Sequence, residues 1–184
     1  MTRRLGLMGI LLAATMLAGC VEWDGDGEDA YTFRSLYRTD VSSVHVPIWT
    51  RGKDVYRREL EYRLTEAVIK RIQMDTDYVI TERARADSEL VGQILAVEQG
   101  VLSRNPDSGD TNEQEVNMLI SFTWRNLETG EDMVHEVAMR VSAAYIPHEP
   151  LGEDFFQGSQ AVIEKAARLI VERMRDDWED KPAE

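Results

Sequence analysis

Apolar and polar residues recur along this chain in two different periods, and the periods predict its elements. Over residues 41–49, Val44, Val46 and Ile48 alternate with Ser43, His45 and Pro47, the period of two that marks a half-buried strand. Pro47 lacks an N–H and therefore belongs at a sheet edge or an unpaired position. Over residues 54–74 the spacing changes. Leu60, Leu64, Val68 and Ile72 fall four apart, Tyr56 continues the stripe backwards, and charged residues cover most other positions, which predicts a long helix with one buried face.

A short strand is predicted over 78–81 and a longer one over 90–102, apolar on both faces in places. Asn105-Pro106-Asp107-Ser108-Gly109 marks residues 103–112 as a loop. Strands over 116–127 and 133–145 flank Glu128-Thr129-Gly130-Glu131, and residues 147–152 interrupt the chain again. A last helix over 154–178 turns Phe155, Val162, Ala166, Leu169 and Val171 or Met174 inward. The order β-α-β-β-β-β-α predicts an α+β two-layer sandwich, with two helices packed on one face of a four- to five-stranded mixed or antiparallel sheet.

The last two strands have a register that burial should select. A turn centred on Thr129-Gly130 pairs Trp124 with His135, Phe122 with Val137, Ile120 with Met139 and Met118 with Val141, so that both apolar columns share one face. His135 would then sit among apolar residues. A three-residue turn without a bulge would set Phe122 opposite Glu136, which the pattern argues against. The other face, with Asn117, Leu119, Ser121, Thr123 and Arg125 against Ser142, Arg140, Ala138, Glu136 and Val134, is neither plainly core nor plainly solvent.

The start of the chain changes the picture. Arg3 and Arg4 precede an apolar run over residues 5–17, and Leu17-Ala18-Gly19-Cys20 follows, the anatomy of a secretory signal too short to span a bilayer. The run of small residues into a cysteine looks like a bacterial lipobox, in which the Cys20 thiol receives a diacylglycerol and the new amino terminus a fatty acyl chain such as palmitate. Cys20 is the one cysteine among 184 residues, so an internal disulfide or a cysteine zinc site is excluded. Four segments are predicted: a signal over 1–19, a lipidated Cys20 with an acidic, Gly-rich tether over 20–40, one α+β domain over 41–178, and an acidic tail over 179–184.

Loss of Arg3 and Arg4 with the signal takes the net charge from −13 to −15. So acidic a chain is not expected to bind nucleic acid, and anionic headgroups would repel it, leaving the lipid to hold it to a membrane. Asp24-Gly25-Asp26 opens like an EF-hand loop, but Asp29 stands where glycine is needed and Ser35 where glutamate is. His45, His135 and His148 show no paired helical spacing, and neither a phosphate-cradling loop nor a nucleophile elbow occurs. No catalytic set, metal site or cofactor is expected, and the chain does not read as an enzyme.

The lipobox, the strand Val44-His45-Val46-Pro47-Ile48-Trp49 and the helical run Leu60-Glu61-Tyr62-Arg63-Leu64-Thr65-Glu66-Ala67-Val68-Ile69-Lys70 together resemble the LPS-assembly lipoprotein family, LptE. Ala86-Asp87-Ser88-Glu89-Leu90-Val91-Gly92-Gln93-Ile94 and the hairpin Trp124-Arg125-Asn126-Leu127-Glu128-Thr129-Gly130 extend the resemblance over about residues 41 to 175. It implies an outer-membrane lipoprotein that sits within the lumen of LptD, the large β-barrel that transports lipopolysaccharide, and assists its assembly. Val21, rather than aspartate, follows the anchor and favours the outer membrane. Members that touch lipopolysaccharide do so through basic residues. Arg104, Arg125 and Arg140, with Asn126 and Thr129 of the turn, are the candidate partner or ligand contacts. The rival class is a periplasmic lipoprotein adaptor, either a cell-wall synthase activator or a secretion lipoprotein.

Overall fold

The computed structural model describes residues 36–104, 106–107, 111–146 and 154–175. Cys20, the signal, most of the tether, the tail, His148 and Trp178 lie outside the described residues. Strands β1 (Ser43–His45), β2 (Thr50–Arg51), β3 (Val79–Ile80), β4 (Ser88–Arg104), β5 (Thr111–Asn126) and β6 (Asp132–Tyr145) form one mixed sheet. Helices α1 (Leu60–Asp75) and α2 (Asp154–Arg173) complete the α+β fold. The path across the sheet is β3-β1-β4-β5-β6; β1 runs parallel to β3 and β4, and β2 also pairs β4 in parallel. The β4-β5-β6 meander is antiparallel.

The strand expected over 41–49 is present as two pieces on the same edge of β4, β1 and β2. Val44 pairs with Ser88 and Thr50 with Gln93, so the first strand holds one residue more than its partner across the gap. Pro47 lies in that gap, where no ladder N–H is needed. The extra residue reverses the side-chain phase. Val44 and Val46 stay in the core, but Ile48 turns out, 58% exposed, and Trp49 turns in, 2% exposed. Expecting Ile48 on the buried face was therefore incorrect.

Trp49 finds room because β4 has glycine at position 92; a Cβ there would stand 2.5 Å from the indole. Its backbone N–H donates to Thr65 Oγ1 of α1 at 3.0 Å, fixing the strand gap to the helix. Helix α1 starts later than its stripe suggested, because Glu59 adopts a left-handed φ of 74° that no helix interior tolerates. Tyr56 therefore lies outside the helix and is exposed, whereas Leu60, Leu64, Val68 and Ile72 are all buried as the spacing required. From α2, Val162, Ile163, Ala166, Ala167, Ile170 and Val171 enter the same core, as does Met174 just beyond its end, while Leu169 and Phe155 are only partly buried against it.

The hairpin register differs from expectation near the turn. Ile120–Met139 and Met118–Val141 pair as the apolar columns demand, but Phe122 opposes Glu136, Thr123 opposes His135 and Trp124 opposes Val134. Asn126 Oδ1 accepts from the amides of Glu128 and Thr129, and Gly130, at φ 75°, donates to the Asn126 carbonyl. These bonds start the turn at Asn126, earlier than a turn centred on Thr129-Gly130. Two register shifts, each adding a residue on β6, restore the expected pairing beyond Ile120. Glu136 consequently reaches Arg173 of α2 at 2.8 Å, and His135 and Val137 point to the other face.

A buried polar chain ties the parallel and antiparallel parts together. Trp124 Nε1 donates to Ser88 Oγ at 3.1 Å, and Ser88 Oγ donates to the Ser43 carbonyl at 2.9 Å. Beside it, the Asp87 carboxylate accepts from the Ser42 hydroxyl at 2.7 Å and from the Ser42 and Ser43 amides. Those donors, the Ser42 hydroxyl foremost, lower the Asp87 pKa to about 2. A folded pKa below the unfolded 3.8 means that the contribution is complete above pH 3.8 and lost as pH falls through about 2. Asp87→Asn is expected to be less stable near neutrality and to lose part of the acid sensitivity between about pH 4 and 2, as unfolding free energies measured against pH would reveal. Equal slopes for both proteins would refute this.

Candidate functional site

The helices cover one face of the sheet and leave the other open. Three elements set the chemistry of that open face. The gap between β1 and β2 presents Pro47 and Ile48; β4 contributes Val91, Gln93 and Leu95; β5 and β6 contribute Ser121, Thr123, His135 and Val137. These residues surround a depression of about 730 Å3, within the volume range of ligand or anchor-residue pockets. Ile48, Val91 and Val137 are 58%, 40% and 68% exposed, an apolar centre on an otherwise polar sheet. A shift of register made each of the two outermost, since Ile48 and Val137 would both face the core without the irregularities in β1–β2 and β6.

His135 is on this face and not among core residues as its expected register had it. Its Nδ1 is 2.9 Å from Thr123 Oγ1 across the β5–β6 ladder. One end of the face carries alternating charges. Arg83 meets Glu89 at 2.9 Å, Glu89 pairs in register with Arg125, and Arg125 Nε meets Asp132 at 2.6 Å. The hydrogen bond with Asp132 raises the Arg125 pKa and lowers that of Asp132, so both stay ionised across the ordinary pH range. The arrangement is an apolar centre with a row of charge pairs at one end of the face.

The residues singled out from the sequence are not gathered into one place. Arg125 is held by Asp132, and Asn126 and Thr129 spend their side chains on the turn, Thr129 Oγ1 accepting from the Glu131 amide at 3.3 Å. Arg104 is at the opposite end of β4, paired with Thr111, whereas Arg125 pairs with Glu89. Fifteen strand steps separate those two positions, about 50 Å at the usual rise. Arg140 lies between them, opposite Leu119 and exposed on the open face. Three arginines so spaced cannot clamp one phosphate together. Among the described residues no group of three or more His, Cys, Asp or Glu side chains is placed to hold a metal ion, and no helix is long and apolar enough to cross a membrane.

The depression itself had only one signal in the sequence, Pro47 inside an alternating run, which announces a break in the pairing and hence a possible change of phase. The bulges of β6 left no comparable mark. Gly92, which lets Trp49 turn inward and Ile48 outward, reads in the sequence as an ordinary strand glycine.

Comparison with known proteins bears on the whole of this domain. The family model described as LptE, Lipopolysaccharide-assembly, matches residues 41–178. No curated protein matches the chain. Among solved structures, a Xanthomonas campestris protein is similar with a TM-score of 0.51 at 7% identity, covering 76% of this chain and 89% of that one. Lipoprotein B from Nitrosomonas europaea gives 0.46 at 10% identity, over 77% and 88% of the two chains. Rare lipoprotein B from Shewanella oneidensis gives 0.38 at 15% identity, over 71% and 89%. At such identities the Xanthomonas likeness bears on the fold alone.

Proposed function

We propose, from the premise that this chain belongs to the LptE lipopolysaccharide-assembly family, that it is an outer-membrane lipoprotein which partners and plugs the LptD-type β-barrel. The match carries this reading because it runs from the first strand to beyond the last described helix, over the element order of the whole domain. In this reading Cys20 bears the acyl anchor, and the domain acts by contact, without catalysing a reaction.

The open sheet face is the surface offered to the barrel. Its centre is apolar at Ile48, Val91 and Val137, and its surroundings are hydroxyl, amide and charged groups. Such a face suits the polar interior of a large barrel, with a few aliphatic anchors supplying most of the binding. Arg104 and Arg140 are the candidate contacts for a lipopolysaccharide phosphate, each acting singly; Arg125, Asn126 and Thr129 would contribute the shape of the hairpin end. Direct lipid contact is the smaller part of the proposal, since the chain carries a net charge of −13.

Detergent extraction of tagged, acylated protein from native membranes tests the reading. A large β-barrel is expected to co-purify in stoichiometric amount, and Cys20→Ala is expected to reduce that amount by removing the anchor that concentrates the protein at the membrane. Recovery of a cell-wall synthase, or of no barrel, would overturn the proposal in favour of an adaptor.

A further inference from the structure

Strand β4 outruns its neighbours on one side. β1 pairs with it at Ser88 and Glu89 and β2 at Gln93 and Ile94, and there the pairing on that side stops. The Gly52 N–H donates to the Ile94 carbonyl at 2.7 Å; the Val55 N–H then closes a turn on the Gly52 carbonyl at 3.2 Å, and the chain leaves for α1. On its other side β4 continues regularly against β5 over residues 96–101, from Ala96 opposite Leu119 to Val101 opposite Gln114. Among the described residues nothing bonds to the main chain of 96–101 on the vacated side. Main-chain polar groups alternate between the two sides of a strand. Ile94 turns its carbonyl to β2, so with one residue added at Leu95 the free groups are those of Val97, Gln99 and Val101.

The far edge of the sheet is guarded, as exposed edges are. β6 carries two added residues, and Lys165 of α2 donates to the Ser142 carbonyl at 2.9 Å. Residues 96–101 contain no added residue, proline or lysine. Their length, six residues, is that of an ordinary strand.

We propose that an extended segment of the barrel partner adds to β4 at this edge as a further strand, bonding to the free main-chain groups of Val97, Gln99 and Val101. The proposal rests on the barrel reading above. Strand addition draws affinity from main-chain hydrogen bonds and specificity from alternate side chains. Val97 is partly buried against the core and Val101 is 45% exposed, both on the helix side of the sheet, so the incoming segment carries aliphatic residues beside them. Thr50 and Leu95, which mark the end of the β2 pairing, also line the depression on the open face. The vacant edge and the aliphatic anchors thus form one continuous surface for one partner chain. A second copy of this chain is the poorer occupant, because both copies would carry a net charge of −13.

Hydrogen exchange read by mass spectrometry, on full-length acylated protein alone and in the complex with the co-purified barrel, tests this. Amides within 96–101 are expected to exchange about tenfold or more slowly in the complex. A partner lying over the open face without pairing could also slow them, so a second measurement isolates the main-chain bonds. Val101→Pro removes one free N–H, whereas Val101→Ala shortens the side chain and keeps it. With circular dichroism unchanged for both, Val101→Pro is expected to recover about fivefold less barrel than Val101→Ala. Amides that exchange equally fast with and without the barrel would overturn the added strand and leave the barrel reading standing. Equal recovery by two folded variants would do the same. Protection that grows with the concentration of the protein alone would assign the edge to a second copy and overturn it too. A preparation without any barrel sinks both readings together.

Discussion

Gly92→Val is expected to abolish cooperative folding, and Gly92→Ala to lower the unfolding free energy by about 2–3 kcal/mol, as overpacking a filled core does. Added carbon at position 92 would lie 2.5–2.6 Å from three ring atoms of Trp49. The indole cannot step aside, since it is 2% exposed and lies 6.3 Å from the ring of Phe122. Its backbone is held in turn by Thr65 Oγ1, which itself donates to the Glu61 carbonyl at 2.6 Å. Urea denaturation followed by circular dichroism would measure both variants. Trp49→Leu placed in the Gly92→Ala protein should recover stability relative to Trp49→Leu alone, because the clash disappears with the ring. Strictly additive losses would show that the ring and position 92 do not meet.

Aspartate at both Ile48 and Val137 is expected to cut recovery of the barrel partner by about tenfold or more, equivalent to about 1.4 kcal/mol of binding, while the melting temperature stays within the ordinary range of surface variants. Both side chains are more than half exposed, so the fold loses little when they become polar. A docked partner would instead face two desolvated carboxylates at the centre of its contact, the place where substitutions cost most. Tyr62→Ser, at a position 56% exposed on α1, gives the comparison for the helical layer. Should Tyr62→Ser abolish recovery while the aspartates leave it intact, the barrel docks on the helices and the open face is not its site.

Both experiments depend on the same accident of phase. Val44, Val46 and Ile48 looked like one column, and so did Trp124, Phe122 and Ile120 against His135, Val137 and Met139. Alternation is a local rule that holds only while pairing is regular. The residue added at the Pro47 gap and the two added in β6 each reverse it, and a bulge in β6 has no residue signature that a sequence must carry. His135 accordingly moved from the expected core to the open face beside Thr123. The charge pairs show the same limit: Asp132, seven residues on, lies against Arg125 because the hairpin brings them together, which no local pattern announces.

The sequence by itself determined what depends on residues near each other along the chain. The stripe Leu60, Leu64, Val68 and Ile72 required a helix, the alternating runs required strands, and their order required an α+β sandwich whose core those residues fill. The lipobox pattern at Cys20 and the resemblance to the LptE family were legible there too, the latter now supported by a match over residues 41–178. Tertiary structure alone decided which side chains face outward where pairing slips, that Gly92 must be empty because Trp49 lies over it, and that Tyr37 and Arg175 bring the two ends of the domain to one pole. Such facts depend on contacts between distant segments, where a one-residue change of register is set by how whole surfaces pack rather than by any local preference.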